Sequence, residues 1–162
     1  MSETRETLEF FLQGWQNYQK QLSLALARLS PEQLALRAAP DLRSIDELAR
    51  HMIAVRAGWF HYTLEEGDEN FGAFAEWAGS GTLPRSADEL VSGLEQTWQV
   101  MQEVLERSTL ADLQSPVQDE MDGKVYTYPR GWVIWHVLEH DLHHGGEIAY
   151  SLGMHGLTAP DI

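Results

Sequence analysis

Four stretches of this chain place apolar residues alternately three and four positions apart, the spacing of one face of an α-helix. They predict helices over residues 8–29, 44–67, 86–105 and 129–153, the first ending before Pro31. Strand-like alternation is not convincing anywhere in the chain. The pattern therefore predicts an all-α fold, an antiparallel four-helix bundle that forms one domain over residues 1–162.

Local signals mark the ends of these helices. Ser44 with Glu47, and Ser86 with Glu89, have the spacing of a capping box, in which each side chain bonds the other residue's backbone N–H. Gly153 suits the position just after the last helix. These signals predict that the second and third helices begin immediately after Ser44 and Ser86.

Residues 109–130 lack a clear periodicity and predict a long irregular connection before the last helix. Within them, Asp122-Gly123 is a signal for a tight turn, which allows a small hairpin before Tyr126 and Tyr128. Pro129 then suits the first turn of the following helix.

Composition excludes several classes of protein. Twenty-five acidic and eleven basic residues give a net charge of −14, which argues against nucleic acid and anionic membranes as partners. The chain has no cysteine, which rules out disulfides, thiolate metal sites and a cysteine nucleophile. Neither a signal peptide nor a membrane-spanning run is visible, so a cytoplasmic protein with a small-molecule substrate is expected.

The densest chemistry lies in the last helix, where four histidines fall within nine residues, 136–144. His140 and His144 are four apart on the inward stripe, so their imidazoles lie one turn apart and can share a metal ion. The second helix offers His51, and three imidazoles would leave positions open for water or substrate. The alternative is that these are core or surface histidines held by local hydrogen bonds, which for His51 alone is the simpler interpretation.

Other titratable residues near these histidines allow several roles. Glu147, three after His144, is a candidate hydrogen-bond acceptor for a metal-ligand ring, a candidate acid or base, or a solvated charge. Glu47 is a candidate acceptor for His51, although its capping box explains it equally well. His136 is expected in the core or beside the ligands, and His143 at the rim or in solvent. His61 and His155 are expected at the surface.

These residues resemble the DinB-like (YfiT-like) superfamily of metal-binding four-helix bundles. The resemblance covers the chain by helix order and length. It rests on the segments LARH at 48–51, HDLHHGGEI at 140–148 and LG at 152–153. Of these, the paired histidines followed by Gly-Glu-Ile are the more specific signal.

The resemblance implies that His51, His140 and His144 are the ligands of a divalent metal, Zn, Ni or Fe, and that the protein is a homodimer. Relatives include bacillithiol S-transferases and, more distantly, mycothiol-dependent enzymes. The chain departs from the family at Gly145, where relatives often have arginine; the departure predicts the loss of a charge from the mouth of the site.

Three functions follow as hypotheses. The first is a metal-dependent transferase that activates a low-molecular-weight thiol, as co-substrate, for attack on an electrophile. The second is a metal-dependent hydrolase that uses metal-bound water, with Glu147 as the candidate base. The third is a non-catalytic binding protein in which the metal holds the second and fourth helices together. The exposed Trp132 and Trp135 are candidates for the pocket mouth or an interface.

Overall fold

The computed structural model describes residues 3–79 and 81–161, and within residues 3–7 it describes the backbone alone. The α-helices are, in chain order, α1 (Glu3–Leu26), α2 (Pro31–Leu34), α3 (Ile45–Ala57), α4 (Glu69–Gly72), α5 (Ala87–Arg107), α6 (Leu110–Gln114) and α7 (Arg130–Met154). The four long helices, α1, α3, α5 and α7, form the bundle: α3 packs against α5 and α7, and α1 packs against α5. The predicted fold class is confirmed. Within the described ranges, no helix combines the length and apolar character needed to cross a membrane.

Helix α3 begins where the sequence predicts. The hydroxyl of Ser44 accepts a hydrogen bond from the backbone N–H of Glu47 at 3.2 Å, and the Glu47 carboxylate accepts one from the N–H of Ser44 at 2.7 Å. Ser86 and Glu89 make the same reciprocal pair ahead of α5. Both caps satisfy backbone N–H groups that the first turn of a helix leaves unpaired, and so fix where α3 and α5 begin.

The second predicted helix does not remain α-helical to its end. After Ala57 it continues as a π-helical segment, Gly58–Thr63. Bonds from i to i+5 place more residues in each turn, so side chains beyond Gly58 rotate off the stripe expected for an α-helix. Tyr62, expected on the apolar stripe, is therefore 63% exposed, whereas Phe60 is fully buried.

Two helix ends differ from the prediction. Helix α1 ends at Leu26 rather than Leu29, and a short capped helix, α2, follows. Helix α7 continues to Met154, so Gly153 lies inside it; Gly156, with φ of +68°, ends it instead. The N–H groups of Gly156 and Leu157 donate to the carbonyls of Gly153 and Leu152, the paired bonds of a Schellman motif.

The connection before α7 is more regular than predicted. It contains α6 and an antiparallel hairpin of β1 (Pro116–Met121) and β2 (Lys124–Pro129). Asp122 and Gly123 form the two-residue turn with φ of +53° and +72°, as a tight Asp-Gly hairpin requires. Between α4 and Gly79, a 3-10 helix, Ala73–Ala78, packs against α3. These elements leave the four-helix core intact and cover its ends and edges.

Candidate metal centre

Helices α3 and α7 bring three imidazole rings together across their interface. His140 Nε2 lies 3.1 Å from His51 Nε2 and 3.2 Å from His144 Nε2. One ring nitrogen from each of the three histidines lies within 4.8 Å of the other two. His144 is buried, and His51 and His140 are half-buried, so the cluster sits at the edge of the core. The structure thus places the three sequence-predicted ligands side by side.

The spacing of these nitrogens fits a single metal ion. Two nitrogens that each lie about 2.0–2.1 Å from a tetrahedral metal are about 3.3 Å apart, close to the observed 3.1 and 3.2 Å. Imidazole nitrogen is a donor that Zn, Ni and Fe(II) accept. Among the described residues, the cluster gathers these three donors and no fourth protein ligand. The donor set therefore fits a site that keeps a coordination position open.

The surroundings keep two of the rings in the form that binds metal. Burial, assisted by the neighbouring His144 and His51, lowers the pKa of His140 to about 3. Burial also lowers the pKa of His51 to about 4, assisted by the positive charge of Arg43. Both imidazoles are therefore neutral at pH 7, and only a neutral imidazole has a lone pair for a metal ion.

Glu147 orients one member of the cluster. Its Oε2 accepts a hydrogen bond from His144 Nδ1 at 2.6 Å, which leaves the lone pair of His144 Nε2 pointing into the cluster. Its Oε1 lies 3.8 Å from Nε2 of the exposed His143. His143, His144 and Glu147 also form a second possible ligand group, but two of the three are exposed. The geometry assigns Glu147 to supporting His144, and its predicted role as acid or base stays a prediction.

We expect Glu147→Gln to weaken metal binding by about 10- to 100-fold, because the neutral amide is a poorer acceptor for His144. A competition titration against a chromophoric chelator measures this change. Glu139→Gln is the matched control, since Glu139 lies about two helical turns from Glu147, beside His136 and outside the cluster. Equal metal affinity in wild type and Glu147→Gln would contradict the orienting role. A fall in the activity of Glu147→Gln at saturating metal would support an additional, catalytic role for Glu147.

A ladder of aromatic rings leads from the hairpin to the histidine cluster. Trp132 stacks on Tyr128 with ring centroids 4.3 Å apart, and on His136 at 5.2 Å. Trp59 meets the His136 ring edge-on at 5.0 Å, and His136 lies 6.3 Å from His140. These rings form a half-exposed aromatic wall that ends at the histidine cluster.

The family model of the DinB superfamily matches residues 15–148 of this chain. The chain belongs to the DinB superfamily. The crystal structure of a DinB-like protein from Bacillus cereus ATCC 10987 has the same fold, with a TM-score of 0.69 at 21% identity, covering 95% of this chain and 96% of that one. No curated protein matches the chain significantly.

Within this DinB bundle, Gly145 does not lie where its departure from the family suggested. It is buried against α1 rather than at the mouth of the site, and a Cβ built there would lie 1.6 Å from the Tyr18 hydroxyl. That hydroxyl donates to the backbone carbonyl of Asp141 at 3.0 Å. Burial, with the charge of Asp141, raises the pKa of Tyr18 to about 12, so the phenol keeps its proton. Glycine at 145 makes room for Tyr18.

Next to the histidine cluster lies a buried ion pair that the sequence did not predict. Asp141, which follows His140, accepts hydrogen bonds from Arg56 Nη2 at 2.7 Å and from the Trp15 indole N–H at 2.8 Å. The exposed fractions of the Arg56 and Asp141 side chains are 0% and 1%. Arg56 also donates to the Leu94 carbonyl at 3.2 Å. Four helices of the DinB bundle are therefore tied together immediately beside the cluster.

The remaining histidines lie outside the cluster. His143 is exposed, as predicted, and so is His155, which donates to the Arg37 carbonyl. His136 is half-buried in the aromatic ladder. His61, predicted at the surface, is half-buried instead, because the π-helical segment turns it toward the Glu66 carbonyl, where Nδ1 bonds at 3.2 Å. Glu47 is explained by its capping box and by an ion pair with Arg37.

Proposed function

We propose that this chain binds one divalent metal ion through His51, His140 and His144 and transfers a low-molecular-weight thiol to an electrophile. The observation that carries the proposal is the convergence of the three Nε2 atoms, two pairs of them 3.1 and 3.2 Å apart. The thiol transfer itself is drawn from the resemblance to DinB-like enzymes.

A divalent metal, Zn, Ni or Fe, would supply at this site a Lewis acid that lowers the pKa of a bound thiol. The three histidines would hold the metal, and the coordination positions that they do not fill would be open to the co-substrate. Glu147 holds the His144 ring in place by its bond to Nδ1. In the transfer, sulfur loses its proton to solvent and bonds to the electrophilic carbon, whose leaving group departs with its electron pair.

The aromatic ladder suits the second reactant. The rings of Trp59 and Trp132 pack against each other and against His136. His136 is in turn the ring next to His140. Aromatic walls bind apolar and planar groups through burial and stacking. We therefore propose an electrophile with a planar apolar part that lies along this wall. A homodimer, which the resemblance implies, and the absence of nucleic-acid and membrane partners are proposed with it.

The test is thiol consumption by the metal-loaded protein with a panel of electrophiles, run in parallel with a known DinB-family thiol transferase. We expect turnover in wild type and in His143→Ala, and none in His140→Ala. If no thiol is consumed with any electrophile while the relative is active, the proposed transferase activity is overturned. Full activity without added thiol would favour the hydrolase instead.

A further inference from the structure

A cavity of about 270 Å³ lies beside the histidine cluster, between α7 and the segment before α3. We call it the side cavity; its polar lining consists of Asp41, Arg43, Glu147, Tyr150 and Ser151. Glu147 belongs to this lining and also contacts the cluster, because its Oε2 accepts a hydrogen bond from His144 Nδ1. The positive charge of Arg43, also in the lining, lies near enough to help lower the pKa of His51. The side cavity therefore adjoins the histidine cluster, although none of the three candidate ligands lines it. Its volume is near the lower end of the roughly 300–1,000 Å³ of small-molecule pockets.

The unpaired hydroxyl of Ser151 indicates that the side cavity binds a ligand. Ser151 is part of the lining, but only 1% of the residue is exposed. Its Oγ has no hydrogen-bond partner among the described residues. Buried hydroxyl groups in folded proteins are nearly always hydrogen-bonded, because an unpaired one has lost its water without replacement. A polar atom of a bound ligand would provide that partner.

Arg43 gives the cavity its charge preference. Its guanidinium forms no ion pair with a residue in the described part of the chain. Two carboxylates, Asp41 and Glu147, also border the cavity, and the chain as a whole carries a charge of −14. An anion would therefore be repelled from this region without Arg43. A guanidinium has the planar fork of donors that matches a carboxylate.

We infer that the side cavity binds the carboxylate end of a small ligand, with Arg43 pairing the carboxylate and Ser151 donating to it, while the ligand's other end reaches the metal position. The inference rests on the proposed metal site for that other end, but not on the ligand being a thiol. It assigns Arg43 and Ser151 to substrate selection rather than to the reaction.

The experiment compares matched probes by calorimetric titration of zinc-loaded protein. One pair binds metal through sulfur, 3-mercaptopropionate against 2-mercaptoethanol. The other binds through oxygen, succinic monohydroxamate against acetohydroxamate. In wild type we expect the carboxylate-bearing member to bind about fivefold more tightly, the upper range for a solvent-accessible ion pair. The preference should disappear in Arg43→Gln and weaken in Ser151→Ala.

Arg107→Gln is the control with the same charge change. Arg107 pairs with Glu66, which follows the π-helical continuation of α3. Arg43 precedes α3, so the two arginines lie near opposite ends of α3 and its continuation. The inference is overturned if wild type shows no carboxylate preference in either pair, or if Arg43→Gln keeps it. A preference confined to the hydroxamates, with no thiol binding, would support the cavity while contradicting the proposed thiol transfer.

Discussion

Asp141→Ala is expected to lower the free energy of unfolding by about 3–5 kcal/mol, because it leaves the Arg56 guanidinium buried without its counter-charge. The Arg56 side chain is fully buried, so bulk solvent does not reach its charge. The substitution also removes the acceptor of the Trp15 indole N–H. Chemical denaturation of wild type and variant measures the change. This loss is a large part of the stability of a domain, typically about 5–15 kcal/mol.

Two variants separate the buried charge from a general effect of truncation. Arg107→Ala breaks the exposed pair with Glu66 and is expected to cost about 0–1 kcal/mol. The double variant Arg56→Met/Asp141→Leu removes both charges and is expected to recover most of the stability lost in Asp141→Ala. If Asp141→Ala were no more harmful than Arg107→Ala, the ion pair would not hold the bundle together.

Gly145→Ala is expected to destabilise the protein by about 3 kcal/mol, at the upper end of what overpacking usually costs. The new Cβ would lie 1.6 Å from the Tyr18 hydroxyl and 2.8 Å from Tyr18 Cζ. Tyr18 would have to move, which breaks its bond to the Asp141 carbonyl. Because Asp141 follows His140, the shift is also expected to disturb the histidine cluster. Thermal and chemical unfolding measure the loss of stability. A titration of metal affinity measures the disturbance of the histidine cluster.

The adjacent glycine provides the control. Gly146 is exposed, and a Cβ there meets nothing within 4 Å, so Gly146→Ala is expected to stabilise the helix by about 0.5–1 kcal/mol. Adding Tyr18→Phe to Gly145→Ala removes the atom of closest approach and is expected to be better tolerated than the sum of the two single changes. Equal effects of alanine at 145 and 146 would contradict a specific fit to Tyr18.

The parts of the fold that the sequence predicts are those set by local chemistry. Ser44 and Ser86 start their helices through neighbours three residues away, and Asp122-Gly123 makes its turn through its own backbone preference. His140 and His144 are brought together by one helix, so their spacing alone predicts the pair. His51 lies on another helix: the bundle made it a candidate third ligand, and the resemblance to the DinB family implied that the three histidines form one ligand set.

The parts that could not be predicted depend on contacts between distant segments. Nothing in the sequence around Arg56 marks it as the partner of Asp141, 85 residues away. The π-helical segment follows an uninterrupted three- and four-residue pattern, so its extra residue per turn and the exposure of Tyr62 are invisible until the helix packs. Gly145 was predicted to remove a charge from the mouth of the site, because the residue that it contacts, Tyr18, comes from the other end of the chain and could not be foreseen.

The central claim, that the three histidines hold a metal, is tested most directly by elemental analysis of untagged protein after incubation with zinc and removal of excess ion. We expect about one metal per chain in wild type and in His143→Ala, and none in His144→Ala, because each ligand is needed while the exposed neighbour is not. No metal in wild type, or equal metal in His144→Ala, would mean that these histidines serve only to pack α3 against α7.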